Sequence, residues 1–446
     1  MKDPIIVIGA DAAGLSAASK AKRLNPESEI LIFDKGSRIS YGLCGLPYFI
    51  GDEIKDINEL VVFTPEKFKE KKGLDVLIHQ EAIKANFEDK TVTIKNLKTS
   101  EETDYKYSKL IIATGASSRI IPFKGVNLQN IFTLHSLDDG VAIKSFIQTK
   151  SPKKAVIVGS GFIGLELCEA FAHYNIETTL VEKVEKITPI FDTPMSEKIE
   201  EKLNSLGIKT LKGATIEEFI GNNAVEKVKI DGKMYETDFV ILSTGVVPNT
   251  QFLKNTDLRL LENGAIITNE KMETNIPDVY ACGDCATVRH ILTGENVYIP
   301  LGNTANKQGR IAGINVSGKK AELVGILGTT VAKVFDWEVA KTGLSEAEAK
   351  KLKIPYFSKM IKASNKAHYI PGRGPMFIQL VVDKDSKIIL GAQMIGSSVS
   401  KRIDIYSTAI YNKMTLNDFM NLDLCYAPPV APVWEPVQNA VRVIVG

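Results

Sequence analysis

Apolar residues in this chain gather in short unbroken runs, each closed by a glycine or an acid. Ile5-Ile6-Val7-Ile8 is the first, followed by Gly9-Ala10-Asp11-Ala12-Ala13-Gly14 and a helical stretch to about Leu24. Ile30-Leu31-Ile32-Phe33 reads as the next strand and ends at Asp34. Short apolar runs bounded by turn residues predict buried strands, and near-continuous apolar strands are typical of a parallel sheet covered on both faces. The same strand–turn–helix–strand unit recurs as Ala155–Val158, then Gly159-Ser160-Gly161-Phe162-Ile163-Gly164, a helix through about Tyr174, and Thr178–Glu182. Lys109–Gly115 and Phe239–Gly245 read as returns to the sheet. Beyond Gly302 the pattern changes. Helix-like stretches (304–316, 345–352, 402–412) mix with strands (331–335, 377–382, 388–394), which predicts a separate C-terminal domain.

Composition narrows the class. The chain has 446 residues, room for about three domains. Hydrophobic residues make up 44% and charged residues 24%, as expected of a globular protein with substantial cores. A net charge of +2 argues against a dedicated nucleic-acid binder. The N-terminus runs directly into a strand with no leader-like segment, and no run approaches the roughly 18 apolar residues of a membrane span. Five scattered cysteines do not make a secreted disulfide framework, so the expectation is a cytoplasmic protein with reduced thiols.

The second unit carries a complete glycine pattern at Gly159, Gly161 and Gly164. The first permits a tight turn, the second lets a pyrophosphate approach the backbone, and the third lets helix and strand pack closely. The pyrophosphate then lies at a helix N-terminus, where free N–H groups and the dipole favour an anion. Glu182, 23 residues after Gly159, stands where an acid binds ribose hydroxyls and repels a 2′-phosphate. NADH is therefore the expected nucleotide, with NADPH the alternative because Lys183 and Lys186 are close by. The first unit has Gly9 and Gly14 but Asp11 in the middle position, with Asp34 25 residues after Gly9. Far downstream, a strand ends at Gly283-Asp284, an acid suited to a ribityl hydroxyl, and a helix is expected to follow.

The whole chain resembles the two-dinucleotide-binding-domain flavoproteins of the pyridine nucleotide–disulfide oxidoreductase superfamily. The matching pieces are Gly9–Gly14, Ala113-Thr114-Gly115, Gly159–Gly164, Thr244-Gly245-Val246-Val247-Pro248-Asn249 and Tyr280–Ala286. The resemblance implies an α/β fold with two Rossmann-like domains, for FAD and NAD, and an α+β C-terminal dimerisation domain. It implies FAD binding by residues 1–115 with 248–322, NAD(P)H binding by 116–247 and dimerisation through 323–446. In the family, Gly9, Ala13, Gly14, Asp34, Lys35, Ala113, Thr114, Gly115, Gly283 and Asp284 would hold FAD. Gly159, Gly161, Phe162, Ile163, Gly164, Glu166, Glu182 and Gly245 would hold the nicotinamide nucleotide, with Phe162 as an aromatic lid.

Cys44, in Ile39-Ser40-Tyr41-Gly42-Leu43-Cys44-Gly45-Leu46-Pro47-Tyr48, is the candidate redox thiol. Disulfide reductases with a protein dithiol place a second Cys about five residues on. Position 49 here is Phe, and no other Cys lies within a hundred residues. Its oxidised form must be a mixed disulfide with a small thiol or a sulfenic acid. Pro47 suits the first turn of a helix, whose start would stabilise a thiolate. The segment resembles the single-cysteine motif of coenzyme A disulfide reductases and coenzyme A persulfide or polysulfide reductases, as do Lys366–Gly372 and Leu424–Pro429. There the equivalents of Tyr369 and Tyr426 reach the active site from the partner subunit, which implies a homodimer with shared sites.

Ser16, Lys20 and Arg23 share a helix face and Ser40 precedes the cysteine loop. The family places coenzyme A contacts on this face; from spacing alone these are solvated charges. The rival reading is an NADH oxidase or peroxidase working through a Cys44 sulfenate. Those relatives carry a His where Ala12 stands, so peroxide chemistry is disfavoured. A non-enzymatic flavoprotein is the second alternative. Cys282 and Cys285 are read as packing within the flavin turn, Cys168 as core, and no histidine cluster implies a metal.

Overall fold

The computed structural model describes residues 3–445. They form two compact units. One comprises the described residues up to Gly45, Ile54–Ser118 and Val246–Ile326; the other comprises Leu46–Glu53, Arg119–Gly245 and the described residues from Leu327 on.

The first unit is built on a five-stranded sheet in the order Val279–Ala281, Lys109–Ile112, Ile5–Ile8, Ile30–Asp34, Val76–Ile78. Every pairing is parallel, with Ile8 opposite both Phe33 and Ile112, and Ile112 opposite Ala281. The carboxyl ends of four strands therefore share one edge, and ligands of open α/β sheets bind beyond that edge. Helices Ala12–Leu24 and Gly302–Val316 cover one face. They approach so closely that a Cβ on Gly309 would lie 2.2 Å from the Ala13 carbonyl oxygen. The other face packs Ile6, Ile8, Phe33 and Ile112 against Ala85, Val92 and Ile94 of an antiparallel three-stranded sheet, Gln80–Asn86, Thr91–Asn96 and Glu102–Lys106.

The helix expected directly after Asp284 is not there. The chain turns, forms the antiparallel pair Val288–Arg289 with Asn296–Val297, and enters a helix only at Gly302. β-Branched Thr287 and Val288, followed by the left-handed Gly294, favour the short hairpin. That later helix reaches back through buried Gln308, which accepts from Gly283 N at 2.9 Å and donates to Thr287 O at 2.8 Å.

The second unit repeats the device with strands in the order Lys209–Leu211, Glu177–Val181, Lys154–Val158, Phe239–Leu242, Ile131–Thr133. These too are all parallel. A second antiparallel trio, Ile216–Ile220, Lys227–Ile230 and Lys233–Glu236, packs on Val156, Val158, Val240 and Leu242. The C-terminal part of this unit is a five-stranded antiparallel sheet, Thr330–Val334, Trp337–Gly343, Ile389–Gly396, Pro375–Asp383 and Tyr356–Ser364 in spatial order. Buried Gln393 of that sheet accepts from Asp192 N at 2.9 Å and donates to Asp192 Oδ2 at 2.6 Å. Among the described residues no helix is long and apolar enough to cross a membrane.

Candidate active site

The two glycine loops are built alike. Gly9 follows its strand at φ +106°, and a Cβ there would lie 2.1 Å from the Ala113 carbonyl oxygen. A Cβ on Gly14 would meet the Gly9 carbonyl oxygen at 1.9 Å. Gly159 (φ +103°) and Gly164 repeat this, with virtual contacts of 2.4 Å to Ser243 O and 2.2 Å to Gly159 O. None of these four positions tolerates a side chain, and each loop starts a helix whose first N–H groups point outward. Around Gly161 a Cβ would find open space, the approach a phosphate needs.

The acid at the end of the second strand is placed the same way in both units. Asp34 accepts from Ala10 N and Gly36 N, both at 2.7 Å. Glu182 accepts from Ser160 N at 3.0 Å, Ser160 Oγ at 2.8 Å and Val184 N at 3.1 Å. Burial raises Asp34 from its ordinary range although these amides oppose the rise. Lys186 is turned to the Phe191 carbonyl at 2.5 Å, while Lys183 and Lys35 are exposed. The Ala113-Thr114-Gly115 turn is clamped by Asn249, which donates to Thr114 O at 2.9 Å and whose carbonyl accepts from Thr114 Oγ1 at 2.8 Å. Gly283 and Asp284 lie at the same sheet edge, where burial lifts Asp284 to about 6. Gly245 (φ +90°) faces open space, and Phe162 packs its ring on Phe191 at 6.4 Å. Ile163 is half-buried in the first turn of its helix.

Cys44 is exposed on the single turn Leu43–Gly45, directly before the short helix Leu46–Ile50 that contains Pro47. The loop carrying it is fixed by Ser40 N to Ala10 O at 3.0 Å, Val62 N to Ser40 O at 2.7 Å and Gly42 N to Leu60 O at 2.8 Å. Ser40 adopts φ +52°. Cys168, Cys282 and Cys285 are buried, and burial raises all three thiols. Cys425 is the other exposed cysteine and lies in the second unit.

Tyr369 and Tyr426 are both exposed in the second unit. A hydrogen bond between them raises Tyr426 above the usual phenol range. Along helix Ala12–Leu24, Ser16 donates to Asn306 Oδ1 at 2.7 Å. Lys20 is lowered by partial desolvation and by Arg23, Arg310 and Lys319. The structure therefore adds Asn306, Arg310 and Lys319 to the basic face read from the sequence.

Two further residues escaped the sequence reading of sites. Tyr48, four residues after Cys44, donates to Glu166 Oε1 at 3.3 Å. Burial lifts Glu166 to about 7, and both line a cavity of about 300 Å³ with Glu53, Glu169, His173 and Phe335. Asp11 was noted only as a departure from the glycine pattern; its carboxylate accepts from Tyr41 N at 3.1 Å. Proximity in sequence to Cys44 was the one signal that could have marked Tyr48.

Comparison with known proteins adds the following. The family model described as pyridine nucleotide-disulphide oxidoreductase matches residues 3–309, and that for the same family's dimerisation domain matches 329–437. The NAD(P)H coenzyme A polysulfide/persulfide reductase of Pyrococcus horikoshii is 37% identical, covering 100% of this chain and 99% of its own. An NADH oxidase of Methanocaldococcus jannaschii is 35% identical, over 98% and 97%. The crystal structure of reduced Bacillus anthracis CoADR-RHD superposes with a TM-score of 0.96 at 36% identity, covering 100% of this chain and 80% of that one.

Proposed function

The chain belongs to the pyridine nucleotide–disulphide oxidoreductase family, and from that premise we propose that it is an FAD-dependent NAD(P)H:coenzyme A disulfide, persulfide or polysulfide reductase acting through Cys44. The observation that carries this reading is an exposed Cys44 with no second cysteine beside it in the chain: Phe49 stands where a second thiol would, and Cys168, Cys282 and Cys285 are buried. A thiol with no second cysteine within five residues takes its oxidising equivalent from an external sulfur.

Both nucleotide cradles fit their expected occupants. In the first unit, the tight turn at Gly9 and Gly14, where backbone fills the Cβ positions, together with Asp34, Lys35, Ala13, Ala113–Gly115, Gly283 and Asp284, suits FAD. In the second, Gly159–Gly164 with Phe162 and Ile163, Glu166, Glu182 and Gly245 suit the nicotinamide nucleotide. When bound, the flavin supplies a two-electron relay between nicotinamide and sulfur. The locked Glu182 carboxylate and the engagement of Lys186 with a backbone carbonyl support NADH over NADPH.

The chemistry of the chain's own residues follows. The Cys44 thiolate attacks one sulfur of the substrate disulfide, forming a Cys44–S–S bond and expelling one coenzyme A thiolate. Cleavage of that mixed disulfide takes two electrons and returns the Cys44 thiolate with a second coenzyme A thiolate. Overall, NADH and one proton reduce one disulfide to two thiols. The hydrogen-bonded phenols Tyr426 and Tyr369, contributed by the partner subunit of a homodimer, supply a proton to the leaving sulfur. Lys20, Arg23, Ser16 and Ser40 hold the phosphates of coenzyme A. The location is the cytoplasm, where the buried Cys168, Cys282 and Cys285 stay reduced. A second reading, NADH oxidase, is favoured by the Methanocaldococcus relative but not by Ala12, which has no proton to give.

The test is Cys44→Ser. The variant is expected to lose coenzyme A disulfide reduction and to retain bleaching of its flavin absorbance by NADH under anaerobic conditions. Full disulfide turnover by the variant refutes the scheme. A wild-type protein that consumes NADH with oxygen but not with coenzyme A disulfide, persulfide or polysulfide selects the oxidase reading instead.

A further inference from the structure

In a dinucleotide loop the middle glycine leaves room for an anion against bare backbone. This chain has Asp11 there. Asp11 is also the N-cap of helix Ala12–Leu24, a position from which an aspartate normally accepts an N–H of its own helix. Here the carboxylate makes no N-capping bond, although the N–H of the first helical residue, Ala12, acts on it. It turns instead to a loop 30 residues away and accepts from Tyr41 N at 3.1 Å. The adjacent amide, Ser40 N, bonds to Ala10 O at 3.0 Å. Two consecutive residues of the nucleotide loop thus hold two consecutive amides of the cysteine loop, three residues before Cys44. On its far side backbone contacts hold the cysteine loop, with Tyr41 bridging Val61 and Gly42 bonding to Leu60.

We propose that Asp11 is a positioning residue for the thiol: its carboxyl group anchors the loop that presents Cys44 and makes that anchor respond to pH. The inference goes beyond the proposed reaction and rests on it only for the reactivity of Cys44. An ionised carboxylate is a stronger acceptor for Tyr41 N–H than a carboxylic acid. Burial, opposed by the Tyr41 and Ala12 N–H groups and reinforced by the neighbouring carboxylates, lifts Asp11 to about 7. The charges acting on it are Asp34 at the end of its strand, itself facing Lys35, and Asp284 in the 282–285 turn. The anchor therefore tightens as pH rises through neutrality, independently of the thiol's own ionisation.

The experiment is alkylation of the intact, thiol-reduced protein with iodoacetamide from pH 5.5 to 9, with mass spectrometry of the Cys44 peptide to separate it from Cys425. Wild type is expected to show an inflection near pH 7 in addition to that of the thiol. Asp11→Asn keeps an acceptor oxygen but cannot titrate; it should lose that inflection and label at pH 8 within about twofold of wild type. Asp11→Ala removes the acceptor and should change the rate at pH 8 by about fivefold or more. A wild-type profile in Asp11→Asn overturns the proposal even if Asp11→Ala fails to fold, and so does an Asp11→Ala rate within twofold of wild type. Absence of Cys44 labelling in wild type at every pH overturns both this inference and the proposed reaction, whereas normal labelling with unaltered variant profiles overturns this inference alone.

Discussion

Replacing Glu166 by Gln should stabilise the protein at alkaline pH and leave it unchanged in acid. Glu166 sits in the first turns of helix Phe162–His173, with Tyr48 Oη donating to its Oε1 at 3.3 Å. Burial is the main reason that it rises from 4.5 to about 7; the tyrosine hydroxyl opposes the rise and Glu169 adds to it. The folded protein therefore holds this proton more tightly than the unfolded chain does. Its contribution is fully present below pH 4.5 and is lost as pH climbs through 7. The interval from 4.5 to about 7 amounts to about 3 kcal/mol. Glutamine is isosteric with the protonated acid, keeps an acceptor for Tyr48 and never ionises. The stability difference between variant and wild type should therefore grow by about 3 kcal/mol between pH 4.5 and 8, in favour of the variant. Urea titrations at several pH values measure it, because Trp337 and Trp434, the chain's two tryptophans, lie in the same unit as Glu166. All other titrating groups are common to both proteins and cancel. A difference constant to within about 0.5 kcal/mol across that range refutes the assignment of a buried, proton-holding Glu166.

Three further outcomes are expected. Gly14→Ala puts a Cβ 1.9 Å from the Gly9 carbonyl oxygen, so the protein should purify colourless with flavin affinity down by about tenfold or more; a full complement of FAD, read from absorbance, contradicts the cradle. Glu182→Ala removes a carboxylate from the ribose position, and the ratio of kcat/KM for NADPH over NADH should rise by about tenfold; an unchanged ratio rejects Glu182 as the discriminating residue. Mixed dimers of a Cys44→Ser subunit with a Tyr369→Phe/Tyr426→Phe subunit contain one complete site if the phenols act across the interface. They should recover disulfide reductase activity that neither parent dimer has, and no recovery places the tyrosines elsewhere.

What the sequence made legible follows from what constrains it. The central strands Ile5–Ile8, Lys109–Ile112, Lys154–Val158 and Phe239–Leu242 are covered on both faces, so they must be apolar along their whole length and announce themselves. The glycine loops announce themselves because backbone occupies the space where a Cβ would stand. The antiparallel trios left no such trace. Gln80–Lys106 buries little beyond Ala85, Val92, Ile94 and Tyr107 nearby, and its strands alternate Lys, Thr, Asn and Glu on a solvated face. Strand Tyr356–Ser364, with Lys359 and Lys362 among apolar residues, was lost for the same reason. The hairpin Val288–Val297 was misread as helix because the family's turn signal, Gly283-Asp284, fixes where the chain leaves the sheet and not what it does next.

The pairings that escaped the sequence reading have a common physical character. Asp11 and Tyr41 are 30 residues apart, Tyr48 and Glu166 are 118 apart, and Gly283 and Gln308 are 25 apart. None of these separations is a helix or strand period, so no pattern in the chain could pair them. Yet in the first two pairs a buried carboxyl near neutrality is set by donors working against burial, the Tyr41 and Ala12 N–H groups for Asp11 and the Tyr48 O–H for Glu166. Glycine spacing reports only that an anion can approach, whereas the protonation of Asp11 and Glu166 governs how much negative charge already awaits it. Two cradles that look alike in sequence therefore differ in where their titrating acid sits. In the first it occupies the glycine loop itself and grips the cysteine loop. In the second it lies one helical turn further on, against Tyr48, and the loop residue Ser160 is left to grip Glu182.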